Sequence, residues 1–255
     1  MTAVTGLEQA MTDSLLALLP GAARDRAGNV TLTFGRGAPR RLVTCPLDEV
    51  GYVVGALTPA GYLLLRRVGS RIAYPLFDQQ LEGQRVTVFG ARGPVPGVVA
   101  VKSIHLTRGR VGPLAPDPAF TTDNAYVDVG AGSAAEARAL GLDVLAPVAR
   151  TKQPHLYGDR LLAVRSAGRR AACAALAAAV LAQPQARGTV VVAFTVQSLY
   201  SSDAGLASVQ TLLGPFEETK ALSLPVRYAD TAVETVALRD AEALERQVVA
   251  WMEGR

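Results

Sequence analysis

Leu42-Val43-Thr44-Cys45-Pro46-Leu47-Asp48-Glu49-Val50-Gly51-Tyr52-Val53-Val54 is the stretch whose reading decides the fold. An apolar run enters a small polar cluster and a second apolar run leaves it, which reads as strand, crest, strand, with two carboxylates at the crest. Upstream, Leu7, Met11, Leu15, Leu16 and Leu19 recur at helical spacing over residues 7–19, and Pro20-Gly21 ends the run. Asp25-Arg26-Ala27-Gly28-Asn29-Val30 then turns into the strand Thr31–Phe34. Downstream, Pro59-Ala60-Gly61 turns between Val53-Val54 and Tyr62–Leu65. Gln84–Gly90 alternates as a strand, Pro94-Val95-Pro96-Gly97 reads as a turn, and Val98–Val101 as another strand, so this middle block reads as a small barrel. Pro113–Thr122, with three prolines, is expected to be a loop. From Gln153-Pro154 onward the texture changes: a buried helix over Ala171–Leu181, an apolar strand over Thr189–Val196 suited to the middle of a parallel sheet, a helix over Ala204–Leu213, a strand over Leu222–Val226, and a closing helix over Asp240–Met252 with Leu244, Val248 and Trp251 inward. Alternating strands and helices make this part α/β.

The composition bounds the function. Hydrophobic residues are 49% and charged residues 19% of 255, a globular balance that argues against disorder. The longest apolar run, Ala171–Ala182, is an alanine-rich helix too short to cross a bilayer. The net charge of +4 comes from arginines scattered along the chain, without the stripe that nucleic acid requires, so neither nucleic acid nor membrane is an expected partner. Cys45 and Cys173 are distant in sequence and lie in apolar surroundings. They are expected to be unpaired, consistent with a reducing compartment, and the N-terminus carries no export pattern, so cytoplasmic localisation is expected.

The crest resembles the strand "A-H-M-D-E-I-G-F" of the deblocking, or glutamyl, aminopeptidases, dimetal exopeptidases that build tetrahedral particles. It keeps Asp48, Glu49 and Gly51 of that pattern and has Pro46 in place of the metal-binding His. Asp25-Arg26-Ala27-Gly28-Asn29 matches a turn of the same family, and Tyr126-Val127-Asp128-Val129-Gly130-Ala131-Gly132-Ser133-Ala134-Ala135-Glu136-Ala137 matches "l-f-I-D-i-G-A-s-s-r-e-E-A". In that last segment Ser133 or Gly132 would cap a short helix that Gly141 ends. The resemblance implies a zinc-exopeptidase-like α/β domain with a central mixed sheet, interrupted by an inserted β-barrel of dimerisation type. Its expected boundaries are residues 1–70 and 160–255 for the peptidase-like domain, with an internal deletion between about 200 and 222, and 71–159 for the insert.

A dimetal peptidase needs several His and carboxylate ligands and a carboxylate base. Carried over position by position, the family's ligands and base fall on Pro46, Gly168, Ser198, Leu199 and Asp230, of which only Asp230 offers a ligand. Arg169 sets a positive charge beside the Gly168 vacancy. In the family the residue at Asp48 orients the metal-binding His, so with Pro46 there its role is structural. The stretch from Gln197 to Pro225 is expected to be too short for the strand-helix-strand passage that carries the family's remaining Asp. Cys45 as a nucleophile lacks a base, since His105 and His155 belong to the insert or its exit; His105 matches a non-ligand position, and Ser198 has no visible base. Gly130-Ala131-Gly132 and Gly35-Arg36-Gly37 are turns, without the setting of a phosphate loop.

The expectation is therefore a catalytically inactive aminopeptidase-like protein with no catalytic residue, metal or cofactor, acting as an oligomeric structural, assembly or regulatory component. Its expected partners are itself and, as a further candidate, an active relative. One alternative is a reduced metallo-aminopeptidase that completes its site with a partner subunit. Another is a peptide- or small-ligand-binding module using a remnant cleft of Cys45, Asp48, Glu49 and Asp230.

Overall fold

The computed structural model describes residues 2–69, 75–100, 120–200 and 202–255. The expectations for residues 101–119, including His105 and most of the proline-rich loop, lie outside the described residues. The chain divides into two units, residues 1–49 with 152–255, and residues 50–151.

The first unit is α/β. After α1 (Gln9–Leu18), β1 (Ala23–Arg24), β2 (Val30–Gly35) and β3 (Arg40–Pro46) enter a five-stranded sheet. The second unit is a barrel of β4 (Gly51–Leu57), β5 (Leu63–Val68), β6 (Arg85–Gly90), β7 (Gly93–Ala100), β8 (Tyr126–Asp128) and β9 (Pro147–Arg150), with a 3-10 helix over Pro75–Leu81 and α2 (Ala134–Ala139). The chain then adds β10 (His155–Tyr157), β11 (Leu161–Ala163), α3 (Ala167–Leu181), β12 (Thr189–Thr195), α4 (Ala204–Leu213), β13 (Glu218–Ala221), β14 (Thr235–Ala237) and α5 (Leu238–Glu253) to the first unit.

The main sheet runs β1-β2-β12-β3-β13, with β12 antiparallel to β2 and parallel to β3, and β13 parallel to β3. It is mixed, with the apolar β12 in the middle and every residue of that strand buried. Side-chain alternation gives the sheet two apolar faces. Val43, Cys45, Val190, Val192 and Phe194 pack with α3, α5 and α1 on one face, while Leu42, Val191 and Ala193 pack with Val209 of α4 on the other. In the barrel, Leu63 and Leu65 of β5 and Val86 and Val88 of β6 are buried at every second position.

Several expectations are corrected. Pro94 and Pro96 lie inside β7, opposite Phe89 and Thr87, and the turn is Ala91-Arg92 between Gly90 and Gly93. At φ +120°, Gly93 occupies a backbone region that side-chain-bearing residues avoid. The late strand is Glu218–Ala221 instead of Leu222–Val226: Leu222 N–H still donates to Thr44 O, and the chain then leaves the sheet before Pro225, which has no N–H. Between Gln197 and Pro225 the described residues hold one helix, α4, and one strand, β13. The barrel unit takes in residues 50–69, which the sequence reading places in the first domain. On α5, Leu244 and Val248 are buried as expected and Met252 joins them at 0% exposure, while Trp251 is half-buried against the same core with its Nε1–H donating to Glu218.

The cysteines are the clearest correction. Cys45 and Cys173 form a disulfide with their Cα atoms 5.5 Å apart, and no free cysteine is present among the described residues. The sequence reading missed it because the two are 128 residues apart and meet only when α3 packs on β3. Cysteine usage therefore no longer argues for a reducing compartment. Among the described residues, no helix is long and apolar enough to cross a membrane.

Candidate functional site

β3 and β12 run parallel and end together, with Pro46 opposite Thr195, so the turns that follow emerge from the same edge of the sheet. In open α/β sheets that edge is where ligands bind. It brings Asp48 beside Ser198 and Leu199.

Asp48 is fully buried. Its Oδ1 accepts from Ser198 Oγ at 2.6 Å, and its Oδ2 accepts from Thr5 Oγ1 at 2.7 Å and from Leu199 N–H at 3.0 Å. Arg169 Nη1 lies 3.7 Å from Asp48 Oδ1 and donates to Ser198 Oγ at 2.9 Å and to Asp48 O at 3.3 Å. Burying a carboxylate is tolerable only with such compensation.

Glu49 has a separate set of partners. Lys152 Nζ donates to both carboxylate oxygens at 2.9 and 2.7 Å, Arg170 Nη2 lies 3.2 Å from Oε1, and Thr2 Oγ1 and Ala3 N–H also donate to Oε1. Burial pushes the Glu49 carboxyl up, but Lys152 and Arg170, with Arg165 adding to them, outweigh it and bring the pKa to about 2. Burial lowers the Lys152 ammonium, Glu49 opposes that lowering, and Arg170 and Arg165 add to it. Nearby, Glu8 Oε1 accepts N–H bonds from Gly6 and Gln197, each at 2.9 Å, and burial raises the Glu8 pKa against those bonds.

Gly168 is the second residue of α3, whose first turn carries Arg169 and Arg170 and no acidic residue. Its N–H donates to Glu234 Oε1 at 2.7 Å, and Asp230 N–H donates to Glu234 Oε2 at 3.1 Å. A Cβ built on Gly168 would lie 2.5 Å from Val226 Cγ1 and 3.2 Å from Glu234 Oε1, so the space that a larger side chain would need is already filled. Asp230 is exposed and adopts φ +61°, and Ser166, Gln197 and Tyr228 also have positive φ. Strained backbone of this kind gathers at functional sites in general.

The positions expected to be vacant are thus filled by other interactions. Pro46 is a strand residue paired with Thr195, Ser198 serves Asp48, Leu199 is buried at 5% exposure with its N–H on Asp48, and Cys45 is in the disulfide. Cys45, Asp48 and Glu49 are buried, and only Asp230 of the four proposed cleft residues is exposed. This donor set does not fit a metal pair, which requires several convergent carboxylates and imidazoles. Among the described residues, no group of three or more His, Cys, Asp or Glu could hold a metal ion. Sequence reasoning missed Glu8, Lys152 and Glu234. Their partners lie 189, 103 and 66 residues away, so no local spacing marks them.

A mixed α/β sheet interrupted by a closed six-stranded barrel is the architecture of a peptidase-like fold. The sequence model of M42 glutamyl aminopeptidase matches residues 28–198, and the chain belongs to that family. It is 31% identical over 181 residues to SgcX of Escherichia coli (strain K12), provisionally named an aminopeptidase, the match covering 68% of this chain and 46% of that protein. To the lysyl aminopeptidase of Pyrococcus furiosus it is 29% identical over 141 residues, covering 54% of this chain and 38% of that one. The match therefore spans less than half the length of each of these relatives. The fold superposes on the TET1 peptidase of Pyrococcus horikoshii, described as able to assemble into a tetrahedron or a large octahedral shell, with a TM-score of 0.79 at 21% identity, covering 99% of this chain and 96% of that one.

Proposed function

We propose that this chain is a catalytically inactive member of the M42 family, acting as an oligomeric structural, assembly or regulatory component. The observation that carries this reading is what fills the expected ligand positions: Pro46 is paired with Thr195, Gly168 is closed in by Val226 and Glu234, and Ser198 and Leu199 are bonded to the buried Asp48, while the other partners of Asp48 are Arg169 and Thr5 and those of the buried Glu49 are Lys152 and Arg170. Carboxylates held this way by fixed cations and N–H groups serve as structural tie-points, and neither is free to act as a metal ligand or a general base. An internal deletion between about 200 and 222, relative to active members, is part of the same reading.

The names of the relatives favour a second reading, a reduced metallo-aminopeptidase completed by a partner subunit. One experiment separates the two. Purified protein is incubated with a panel of aminoacyl amides and short peptides in zinc, cobalt or manganese, with elemental analysis alongside. The expected result is the uncatalysed background and no stoichiometric metal. Turnover that scales with protein, vanishes with chelator and survives a further purification step would establish the second reading.

Self-association through the inserted block, residues 71–159, is part of the proposal, supported by the assemblies described for the TET1 peptidase. Light scattering should give a dimer or larger species at tens of micromolar, and a monomer would remove this element. An active relative as additional partner completes the reading, and co-purification tests it; residence in the cytoplasm requires that burial shield the Cys45–Cys173 bond from cytosolic thiols, and cell fractionation tests it.

A further inference from the structure

α3 is a weak hydrophobic element for its length. Its buried residues are Ala167, Gly168, Ala171, Ala172, Cys173, Ala175, Leu176, Ala177, Ala179 and Val180, of which only Leu176 and Val180 are larger aliphatic residues. Stabilisation by burial scales with apolar area, so an alanine face approaches the sheet closely but holds it weakly. At the N-terminal end the Glu234 carboxylate accepts from Gly168 N–H, but the helix's own residues add no negative charge. Arg169 and Arg170 sit in a first turn with no acidic residue, at the positive end of the helix dipole, and Ser166 makes no side-chain cap. Yet the same turn must hold Arg169 against Asp48 and Ser198, and Arg170 against Glu49 and Leu47 O.

The Cys45–Cys173 disulfide supplies the missing tie. Cys45 lies in β3 opposite Phe194 of the central strand, at 0% exposure, and Cys173 lies just past the first turn of α3, at 7%. Their Cα separation of 5.5 Å is the usual one for a disulfide, so neither backbone need move to accommodate it. The bond joins the residue before Pro46 to a residue one helical turn past Gly168. Those are the two elements that a bridging metal pair would tie together if Pro46 and Gly168 were ligands.

We propose that the Cys45–Cys173 disulfide is the structural substitute for a metal cross-link between β3 and α3, and keeps the Arg169 and Arg170 turn in register with Asp48 and Glu49. The proposal rests on the reading that this site holds no metal pair. Formation removes two protons and two electrons from the two thiols. A low-molecular-weight disulfide accepts them by exchange and leaves as two thiols. Because both sulfurs are buried in the fold, small reductants reach the bond slowly, which suits a permanent staple better than a switch.

The test is a thiol count combined with a melting experiment. Cells expressing the full chain are quenched in acid, and the protein is denatured and alkylated before and after reduction. The expected result is no alkylated cysteine before reduction and both cysteines alkylated after it. The double variant Cys45→Ala/Cys173→Ala should melt about 5–15 °C below the oxidised wild type. Where that variant fails to fold, wild-type protein reduced in denaturant and refolded in excess reductant, with its thiols free, gives the same comparison without a substitution. Two alkylatable thiols in the quenched protein, or equal melting of oxidised and reduced wild type, would overturn the proposal. Peptide turnover bears only on the functional reading, whereas the thiol count bears only on the staple, so failure of one is distinguishable from failure of the other.

Discussion

At the end of β3, Asp48 and Glu49 are compensated by Arg169, Lys152 and Arg170, whereas at the start of α3 the buried Glu234 carboxylate accepts from the main-chain N–H groups of Gly168 and Asp230. Both arrangements satisfy buried acids, but they respond differently to change. A carboxylate balanced by cations, once removed, leaves buried positive charge behind, and its contribution depends on pH. A carboxylate held by N–H groups acts as a geometric clip, sensitive chiefly to the space around it.

The largest effect is expected at Glu49. Glu49→Gln leaves Lys152 and Arg170 facing an uncharged amide in a nearly closed site, at a cost of about 3–5 kcal/mol in urea unfolding. The pH dependence has a definite sign. With the folded-state pKa lowered from 4.5 to about 2, Glu49 contributes stability that is fully present above about pH 4.5 and lost as pH falls toward 2, at most about 3 kcal/mol. Glu8 works in the opposite direction, because its raised pKa makes the folded state bind a proton more readily than the unfolded chain. Glu49→Gln should therefore flatten the acid limb of the stability profile. An unchanged limb would mean that Glu49 is not the group responsible.

Gly168→Asp comes next and probes the clip. Its new Cβ would meet Val226 Cγ1 at 2.5 Å, and its carboxylate would compete with Glu234 for the same N–H group. The expected loss is about 1–3 kcal/mol in Tm-derived stability, since Val226 is partly exposed and can yield. The combined variant Pro46→His, Gly168→Asp, Ser198→Glu, Leu199→Glu and Asp230→His is expected to retain no stoichiometric zinc after dialysis. It would place two new carboxylates beside the buried Asp48 while Arg169 stays close by. Retained zinc in that variant would show the site to be dormant instead of rebuilt.

These two regions also show where sequence reading stops. The strand-crest-strand pattern at Leu42–Val54, the apolar β12 and the capped α2 are legible because each is written within about a dozen consecutive residues, where period and capping act. Ser133 does accept from Glu136 N–H at 3.2 Å, as the sequence implies. The expected correspondence of Pro46, Gly168, Ser198 and Leu199 to the family's ligand positions is legible only through resemblance. What now occupies the space is not, because Lys152 reaches Glu49 across 103 residues and Glu234 reaches Gly168 across 66. Such pairings are set by how the sheet and helices pack, and no local pattern encodes them.

Arg169→Ala should have a smaller effect than either change above. Its side chain is 36% exposed, and Asp48 would keep Ser198, Thr5 and the Leu199 N–H, so about 1 kcal/mol or less is expected in denaturant unfolding. A loss as large as that of Glu49→Gln would mean that Arg169 is the main counter-charge of Asp48.

The smallest effect is expected at Asp230, the one exposed carboxylate among the family positions. Its N–H donates to Glu234, a main-chain contact that a side-chain substitution leaves in place. The residue sits at φ +61°, a region where Asp is tolerated and Gly is unstrained. Asp230→Gly relaxes the backbone but loses through the freer unfolded chain and through the missing side chain, leaving a loss of about 1 kcal/mol or less. Asp230→Val keeps the same N–H but forces a β-branched side chain into that backbone region, and should cost about 1–3 kcal/mol. Comparing the two by thermal melting isolates backbone conformation from carboxylate chemistry. If both variants lose stability equally, the carboxylate itself is in use, and Asp230 would belong with Asp48 and Glu49 as a third charge-compensated acid.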